Sequence, residues 1–496
     1  MGVYDQLAYP GYAYAATHPA RLEVIGRLFG LRPRPAVTSR VLEIGCGDGG
    51  NSLSLAQTLP GANILGIDIA PGAIERGARL AEAAGLDNVE LRCLDLQALP
   101  EDFGSFDYIV AHGVYSWISP RARASLLAAI HRHLASEGIA FVSYNAYPGS
   151  YLRDMARDIL GYHVRTIEDP QEKLAQAQNL MATIVAIEQP SPYAQVLREH
   201  MQRMLNYPDA LLFHDDLAEI STPFYFHEFM EHAAHHQLAF LAEADLFESQ
   251  MTEVPESAER LMQGLPEDVL VREQYLDFFK NRMFRQTLLC HRTVSFDREL
   301  DENQIQSFAV SFRADPQQTP PDEPRSTADE PAAETFLTPE GFSMTTSEPI
   351  VRAVMHALAS AWPAALDFPA LLAHASQAVG PEVAQDLIAA RLCSVLLQAY
   401  LARIVLLNGC PAPLVNRPTT RPQASALARA QCESGARALS SLLHATVLLQ
   451  DELEPKLLCL LDGTRDTQEL SRVCAVPASA IDQALQRLAS IGLLEG

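Results

Sequence analysis

Short apolar runs alternate with helix-like segments along the first third of the chain. Apolar runs end at Ile44, Asp68, His112 and Ser143, a more polar strand is predicted at 89–93, and each leads into a polar or glycine-rich turn. Continuous apolar runs of this length are typical of strands buried on both faces, and helices between strands indicate parallel pairing. The pattern therefore predicts a doubly wound α/β sheet, whose ligands lie beyond the carboxyl ends of the strands.

After the fifth strand, long helical stretches take the place of the next strand. We interpret residues 150–223 as a helical insertion over the ligand-binding face. Four further segments follow in the order helix, strand, helix, strand: 226–236, 238–242, 258–281 and 284–293. We interpret the two strands as the sixth and seventh strands of the sheet. Residues 224–312 would then complete the core formed by residues 36–149, and residues 1–35 form a leader.

The last third of the chain is divided by its composition. Residues 313–335 are rich in proline and acidic residues, which is typical of a linker. Three helices followed by a strand then occur twice, over residues 336–420 and 421–496. This order predicts two mainly helical, winged-helix-like modules. From residue 451 onward the second has four basic and eight acidic residues, a net charge of −4 that opposes DNA binding and favours contact with protein.

The first predicted strand runs into a glycine-rich turn that contains Gly45, Gly47 and Gly49. Glycines allow the backbone to pass close to a ligand, and the helix that follows directs free N–H groups toward it. Asp68 ends the second strand, where a ribose diol would need a bidentate acceptor. Dinucleotide-binding folds share these features, so the loop alone leaves NAD open as the ligand.

Four motifs together resemble those of class I S-adenosylmethionine-dependent methyltransferases. They are Glu-x-Gly-Cys-Gly-x-Gly at 43–49, Gly-Ile-Asp-Ile-Ala-Pro at 66–71, Leu-x-Cys-Leu-Asp-Leu at 91–96 and Phe-Asp-Tyr-Ile-Val-Ala-His-Gly-Val-Tyr-Ser-Trp at 106–117. More narrowly, the chain is similar to bacterial methyltransferases with a methyltransferase regulatory domain, among them the rickettsial protein-lysine methyltransferases of outer-membrane proteins. Nearly the whole chain carries this likeness, including the segments 9–10, 17–22, 111–117, 143–149 and 272–291.

The resemblance implies that the seventh strand lies antiparallel between the fifth and the sixth. It also implies S-adenosylmethionine as the cofactor and assigns residues to its parts. The loop from Gly45 to Gly49 would hold the methionine part, Asp68 the ribose hydroxyls, and Asp95 with Leu96 the adenine. The leader would fold over the cofactor, with its tyrosines either facing the sulfonium cation or packing against the fold. The candidate cofactor-binding residues are Tyr9, His18, Glu43, Gly45, Cys46, Gly47, Asn51, Asp68, Ile69, Asp95, Leu96 and His112.

Methyl transfer from a sulfonium is an in-line displacement, for which the enzyme mainly aligns a nucleophile with the methyl carbon. A lysine amine, with a free pKa of about 10.4, must be neutral to react, and an apolar aromatic slot favours the neutral form. His112 is a candidate proton acceptor or a structural histidine, and Tyr147 a substrate contact or part of a turn. The residues expected to form this slot follow strands four and five: His112, Tyr115, Trp117, Tyr144, Asn145 and Tyr147.

Two polar clusters lie on predicted helices. Six histidines and glutamates between His227 and His236 suggest a metal site, but His227 and His232 are five residues apart and lie off one face. The exposed side of an amphipathic helix explains them more simply, so we predict no metal. The second cluster recurs at three- and four-residue steps on one helix face: Gln274, Asp277, Asn281 and Arg285. It predicts a buried polar network against the sheet, with substrate binding as the alternative.

Composition limits the partners and the cellular location. The formal net charge is −24, which repels nucleic acid and anionic membranes. Eight scattered cysteines without a Cys-x-x-Cys pair indicate a reduced, intracellular environment. The most apolar stretch, 387–407, contains two arginines and a glutamine, so we predict no stable membrane insertion and a cytoplasmic protein. We expect a protein substrate as partner and leave a homodimer open.

The sequence thus predicts a methyltransferase that acts on the lysine amine of a protein substrate. Two alternatives remain open. One is an N- or O-methyltransferase of a small molecule or cell-envelope component, and the other is a cofactor-binding regulator without turnover. An open groove beside residues 150–223 would favour a protein substrate, whereas a closed pocket would favour a small one.

Overall fold

The computed structural model describes residues 11–187, 190–252, 254–313, 315–318 and 333–495. The strands of its central sheet, in chain order, are β1 Arg40–Ile44, β2 Asn63–Asp68, β3 Val89–Cys93, β4 Phe106–Ala111, β5 Leu134–Asn145, β6 Leu238–Glu243 and β7 Phe284–His291. They lie in the order β3-β2-β1-β4-β5-β7-β6. Strands β1 to β5 are parallel, and β7 is antiparallel to both of its neighbours. The predicted doubly wound sheet of seven strands is confirmed.

Helices flank this sheet on both sides. The first four are α1 Pro19–Leu28, α2 Gly50–Thr58, α3 Pro71–Ala83 and α4 Pro120–His133. Proline opens three of them, at a position where its missing N–H has no intrahelical partner to lose. The Ser119 hydroxyl also caps α4 by accepting a hydrogen bond from the backbone of Ala122 at 3.3 Å. Local sequence therefore fixes where these helices begin.

The predicted helical insertion separates β5 from β6. Its helices are α5 Ser150–Val164, α6 Pro170–Ala186 and α7 Pro192–Met204, followed by a short helical turn at 209–216. Leu160, Met181 and Met201 are fully buried and belong to a hydrophobic cluster made by this insertion alone. The insertion therefore has its own small core.

The last two strands occupy the positions that the sequence predicts. Leu288 of β7 lies opposite Phe141 of β5, and Cys290 of β7 lies opposite Ala239 of β6. Helix α8, Phe226–His235, precedes β6. The expected single helical region at 258–281 is instead two helices, α9 Glu256–Met262 and α10 Val269–Lys280. Pro266 between them disfavours helical backbone at the residue before it, which explains the break.

A buried ion cluster fixes α10 to the sheet. Arg285 of β7 has no exposed side-chain surface, and its guanidinium contacts three carboxylates at 2.8, 3.1 and 2.6 Å, respectively: Asp277, Glu273 and Glu243. The expected polar network is thus present for Arg285 and Asp277. Gln274 instead accepts hydrogen bonds from His227, and Asn281 ends the helix in the left-handed region with φ 48°.

Residues 313–335, which we expected to form a linker, contribute to β-strands at both ends of the segment. After β8, Ala309–Ser311, a strand β9, Asp315–Gln318, pairs antiparallel with β10, Glu334–Leu337, which pairs in turn with β11, Ser343–Thr346. Both ends of the segment therefore belong to a three-stranded sheet. Composition could not indicate this, because β9 obtains its partner strand from beyond the acidic and proline-rich stretch.

The middle unit has the predicted order of elements. Helices α11 Pro349–Ala361, α12 Phe368–Val379 and α13 Gln385–Leu401 lead into β12, Leu406–Asn408. Strand β12 pairs antiparallel with β8, so the unit is joined to the segment that follows the main sheet. Leu22 of α1, Leu288 of β7 and Leu392 of α13 belong to one continuous hydrophobic cluster. The middle unit therefore shares its core with one face of the main sheet.

The C-terminal unit contains more elements than the sequence predicts. Its elements are α14 Ala426–Glu433, β13 Ala438–Ser440, β14 Thr446–Leu448, α15 Leu453–Leu458, α16 Thr467–Cys474 and α17 Ala478–Ser490. The last three helices match the prediction, whereas α14 and the β13–β14 hairpin were not predicted. The expected strand at 491–494 is reduced to a single bridge between Leu494 and Ala424. Leu427 of α14 packs against Leu53 of α2, so this unit also contacts the main domain.

Candidate active site

The glycine-rich loop between β1 and α2 is held by the neighbouring strand. The backbone N–H groups of Gly45 and Cys46 both donate to the carbonyl of Ile67, at 2.8 and 3.0 Å. Gly45 has φ 75°, and a Cβ there would lie 2.5 Å from the side chain of Val114. A larger residue at this position would therefore be strained and would clash.

Asp68 fixes the loop from the end of β2. Its carboxylate oxygens accept hydrogen bonds from the backbone N–H groups of Gly47 and Ala70, each at 2.9 Å. The same side chain lines a cavity of about 670 Å³ at the carboxyl ends of the strands. Asp68 thus has remaining acceptor capacity toward a ligand in this cavity.

Glu43 is buried at the bottom of the cavity. Its carboxylate accepts a hydrogen bond from the Asn51 side chain at 3.0 Å and another from the hydroxyl of Ser52. Burial raises the pKa of Glu43 to about 7, against the lowering effect of these hydrogen bonds. Glu43 is therefore an acid that titrates close to neutral pH and faces the loop.

The described part of the leader covers the cavity. Tyr12 and Tyr14 line it, and the backbone N–H of Tyr14 donates to the Asn51 side-chain oxygen at 3.0 Å. The ring of Tyr14 stacks on His112 with centroids 3.9 Å apart. Burial lowers the pKa of His112 to about 4, so it is neutral at pH 7. Tyr9 lies outside the described residues, and its expected role stays a prediction.

Most candidate cofactor residues line one cavity. The lining residues among the candidates are Glu43, Gly45, Cys46, Gly47, Asn51, Asp68, Ile69, Asp95, Leu96 and His112. His18 is not among them, because its Nδ1 caps α1 through the backbone of Ala20 and its Nε2 lies 3.1 Å from the Thr58 hydroxyl. Tyr14, a leader residue that the sequence did not single out, lines the cavity instead of His18.

Only three of the six slot candidates, Trp117, Asn145 and His112, line the cavity. Tyr144 is 1% exposed and stacks on Phe229 with centroids 4.1 Å apart. Tyr115 is fully buried, and its hydroxyl lies 2.6 Å from the Nδ1 of His232. Tyr144 and Tyr115 therefore pack in the core behind the cavity.

Tyr147 lies on the surface beyond the end of β5. Its ring stacks on Tyr151 at 4.2 Å, and its hydroxyl donates to the carboxylate of Asp154 at 2.9 Å. It is not among the residues that line the cavity. Contact with the backbone of a long substrate outside the cavity remains compatible with this position.

Asn145 stands out among the lining residues. It is 4% exposed, and its side-chain nitrogen has no hydrogen-bond partner among the described residues. A buried amide donor left unpaired costs about 1–3 kcal/mol, so a bound ligand that pairs with it is the simplest explanation. This observation is independent of the sequence motif that first indicated the residue.

The helical insertion supplies a wall of the cavity that the sequence did not predict. Arg153, His214 and Asp215 line it beyond Trp117. The guanidinium of Arg153 lies 5.7 Å from the Trp117 ring and 3.6 Å from the Asp215 carboxylate. Burial raises the pKa of Asp215 to about 6, although Arg153 opposes the shift. No local motif marks these residues, because only the tertiary fold brings them to the strand ends.

Within the described residues, no three histidine, cysteine, aspartate or glutamate side chains are grouped so as to hold a metal ion. In the same part of the chain, the helices are all too short or too polar to cross a membrane. The histidine-rich helix α8 uses its side chains in other contacts, since His227 binds Gln274 and His232 lies against Tyr115.

The cavity fits S-adenosylmethionine in size and chemistry. Its volume lies in the range of small-molecule sites. Asp68 is available for the ribose hydroxyls, Asp95 for the adenine amino group and Glu43 for the positively charged methionine end. Gly47, with φ 57° and open space where a Cβ would project, allows close approach to the loop.

Three protein-family models match separate parts of the chain. A "Methyltransferase domain" matches residues 41–138, a "Predicted methyltransferase regulatory domain" matches 208–291, and a "PKMT, C-terminal winged helix domain" matches 420–486. The regulatory-domain match contains both β6 and β7, so that region supplies two strands of the catalytic sheet.

Two uncharacterised proteins of Rickettsia prowazekii (strain Madrid E) are similar to the chain. RP789 is 33% identical over 63% of the chain and 57% of its own length, so the chain spans less than two thirds of that relative. RP028 is 39% identical over 46% of the chain and 93% of its own length.

The solved structures extend this likeness to the whole fold. PKMT2 from Rickettsia typhi is 28% identical, covers 98% of the chain and 100% of its own, and superimposes with a TM-score of 0.85. Its complex with AdoHcy superimposes with a TM-score of 0.87. AdoHcy is the demethylated form of S-adenosylmethionine, which is therefore the cofactor of this protein. The chain belongs to the class I S-adenosylmethionine-dependent methyltransferases that carry a regulatory domain, and it is of the rickettsial type.

Proposed function

We propose that the protein methylates the lysine amine of a protein substrate. The observation that carries the proposal is the wall of the cavity beyond His112, where Trp117, Asn145 and Asp215 surround the space next to the cofactor site. An aromatic ring and a carboxylate together suit a cationic side chain. The likeness to PKMT2 and to protein-lysine methyltransferases supports the same assignment.

In this mechanism the cofactor supplies an electrophilic methyl group on a sulfonium. The Asn145 side-chain oxygen accepts a hydrogen bond from the incoming amine and aligns it. The nitrogen lone pair stays free to attack the methyl carbon, and this alignment can provide much of the rate acceleration. Trp117 excludes water from one side of the acceptor. A lysine loses its proton on entry, because desolvation disfavours the ammonium form.

Asp215 is a better candidate than His112 to accept the proton that the lysine loses. The pKa of His112 is lowered to about 4 by burial, so this imidazole is a weak base toward an ammonium group. The pKa of Asp215 is raised to about 6, closer to neutral pH, where a general base is most effective. We therefore assign to His112 the role of packing Tyr14 over the cofactor.

The alternatives differ in what occupies the acceptor space. A small-molecule methyltransferase would use the same cofactor residues with a different acceptor. A regulator without turnover would need this space to be blocked, and the cavity instead continues past Asn145 as far as Asp215. This continuity favours turnover.

The central experiment identifies the methylated atom. A lysate is incubated with the protein and methyl-labelled cofactor, and the products are analysed by mass spectrometry. We expect label on lysine side chains of proteins and its loss with Asn145→Ala, a variant that should still bind AdoHcy. Label confined to small molecules, or to base-labile protein esters, would contradict the lysine proposal.

Cofactor affinity should fall as the pH drops below about 7. The free protein then holds a proton on Glu43, and a bound cation favours the carboxylate, so binding must release the proton. We expect a Kd at pH 6 about tenfold above that at pH 8. Calorimetry at pH 6 in buffers of different ionisation heat should detect nearly one proton released. Glu43→Gln should remove the release, and a release that persists in this variant would contradict the assignment.

A further inference from the structure

The β13–β14 hairpin of the C-terminal unit contacts the leader that covers the cofactor cavity. The Thr446 hydroxyl accepts a hydrogen bond from the backbone N–H of Ala13 at 2.9 Å and lies 3.3 Å from its carbonyl oxygen, to which it donates. Ala13 stands between Tyr12 and Tyr14, which line the cavity. Thr446 of the C-terminal unit therefore holds the backbone of the leader at Ala13.

His444, in the turn of the same hairpin, makes a second attachment. It is 2% exposed, its Nδ1 lies 2.8 Å from the hydroxyl of Ser54 on α2, and its Nε2 lies 3.4 Å from the hydroxyl of Thr17. Its ring lies 5.0 Å from that of His18. Burial lowers the pKa of both histidines, so both are neutral in this packed arrangement.

Thr17 continues the contact to the cavity wall. Its hydroxyl donates toward the Asn51 side-chain oxygen at 3.0 Å and the carbonyl of Tyr14 at 2.8 Å. Because one hydroxyl hydrogen serves these two oxygens, His444 must be the donor in its own contact with Thr17. Asn51 in turn donates to Glu43 at 3.0 Å. Hydrogen bonds therefore connect the hairpin to two residues that line the cofactor cavity.

We propose that Thr446 and His444 are positioning residues for cofactor binding, through which the C-terminal unit holds the leader closed over the cofactor. This inference concerns the cofactor alone, and it applies whichever acceptor is methylated. Neither residue lines the cavity, so both act through the leader. The C-terminal unit thereby becomes part of the cofactor site rather than a separate attachment.

The hairpin contacts should strengthen cofactor binding because they raise the fraction of molecules in which residues 11–18 already lie over the cavity. Apparent affinity is proportional to the fraction of molecules in which the binding-competent state is already formed, so it falls when that fraction falls. Tyr14 contributes to the site only when residues 11–18 are in place, and ordering a free segment costs conformational entropy. Contacts from the hairpin supply this order before the cofactor arrives.

The test compares two substitutions at one position. Thr446→Val keeps the branched shape but removes the hydroxyl, whereas Thr446→Ser keeps the hydroxyl. We expect Thr446→Val to weaken AdoHcy binding about fivefold, the effect of losing roughly one net hydrogen bond, and Thr446→Ser to restore most of it. The KM for S-adenosylmethionine should rise with little change in kcat, because the reacting groups are untouched.

A matched control is Thr464→Val in the same unit, which removes a hydroxyl whose hydrogen-bond partner among the described residues is Asp462 in its own loop. This variant should bind AdoHcy like the unaltered protein. If Thr446→Val binds within twofold of the unaltered protein, or if Thr464→Val weakens binding equally, the positioning role is wrong.

A second measurement needs no variant. Coupling between sites is reciprocal, so AdoHcy should slow backbone hydrogen exchange at residues 438–448 in the full-length protein, although these residues do not line the cavity. Exchange at residues 467–474, on helix α16 of the same unit, serves as the internal reference. Unchanged exchange at 438–448 when the cavity is saturated would overturn the proposal.

Discussion

Replacing Arg285 by methionine should lower the free energy of unfolding by about 3–5 kcal/mol, the cost of breaking a buried ion pair from one side. The guanidinium contacts Glu243, Glu273 and Asp277, and all four side chains are at most 3% exposed. Burial already raises the pKa of Asp277 to about 6 despite these contacts. Without Arg285, the one cation that the described residues leave in an ion pair with these carboxylates is Arg282, which pairs with two of the three.

The control for this prediction is the same substitution at an exposed ion pair. Arg260 and Glu256 form a pair 2.6 Å apart on α9, but their side chains are 64% and 81% exposed. Arg260→Met should change stability by less than about 0.5 kcal/mol, since surface pairs contribute little. Urea unfolding followed by fluorescence measures both. Equal midpoints for the two variants would show that the cluster does not stabilise the junction of β7 and α10.

The sheet could be predicted in full because each strand carries its own signal. β1, β2 and β4 are short apolar runs between turn residues, and β3 was recognised although it contains Glu90 and Arg92. The antiparallel insertion of β7 followed from the resemblance to class I methyltransferases. Elements too short to show a strand pattern were missed. β9 and the β13–β14 hairpin are three or four residues long, and only pairing makes them strands.

The candidate site was predicted in part, for a reason visible in strand geometry. Tyr144 and Asn145 are neighbours on β5, and successive residues of a strand face opposite sides of the sheet. The side chains of Tyr144 and Asn145 could therefore not both reach the proposed methyl acceptor. Tyr144 packs on Phe229, whereas Asn145 lines the cavity. Considering this alternation at the sequence level would have removed Tyr144 from the slot.

The wall of the cavity that we propose to bind the methyl acceptor could not be predicted from the sequence. Trp117 was found because it follows β4 directly, but Arg153 and Asp215 come from an insertion whose residues have no fixed relation to the strand ends. Tyr14 was also not singled out from the other leader tyrosines. Its stacking on His112 depends on how the leader crosses the sheet, which the hairpin of the C-terminal unit fixes.

Replacing Asp68 by alanine should weaken the binding of S-adenosylmethionine and AdoHcy at least tenfold, about 1.4 kcal/mol. Two effects add. We expect the Asp68 carboxylate to accept hydrogen bonds from the ribose hydroxyls, and it also holds the loop through the backbone of Gly47 and Ala70. Losing it removes a ligand contact and loosens the loop that the methionine part contacts.

The matched control is Asp107→Ala. Asp107 also accepts a hydrogen bond from a backbone N–H, that of Arg40 at 2.8 Å, but it does not line the cavity. Calorimetry should find cofactor affinity within about twofold of the unaltered protein for Asp107→Ala and the tenfold loss only for Asp68→Ala. NAD should not bind to any of these proteins. An equal loss in both variants would mean that Asp68 acts through stability alone, because the two residues share the loss of a backbone hydrogen bond and differ in their access to the cofactor.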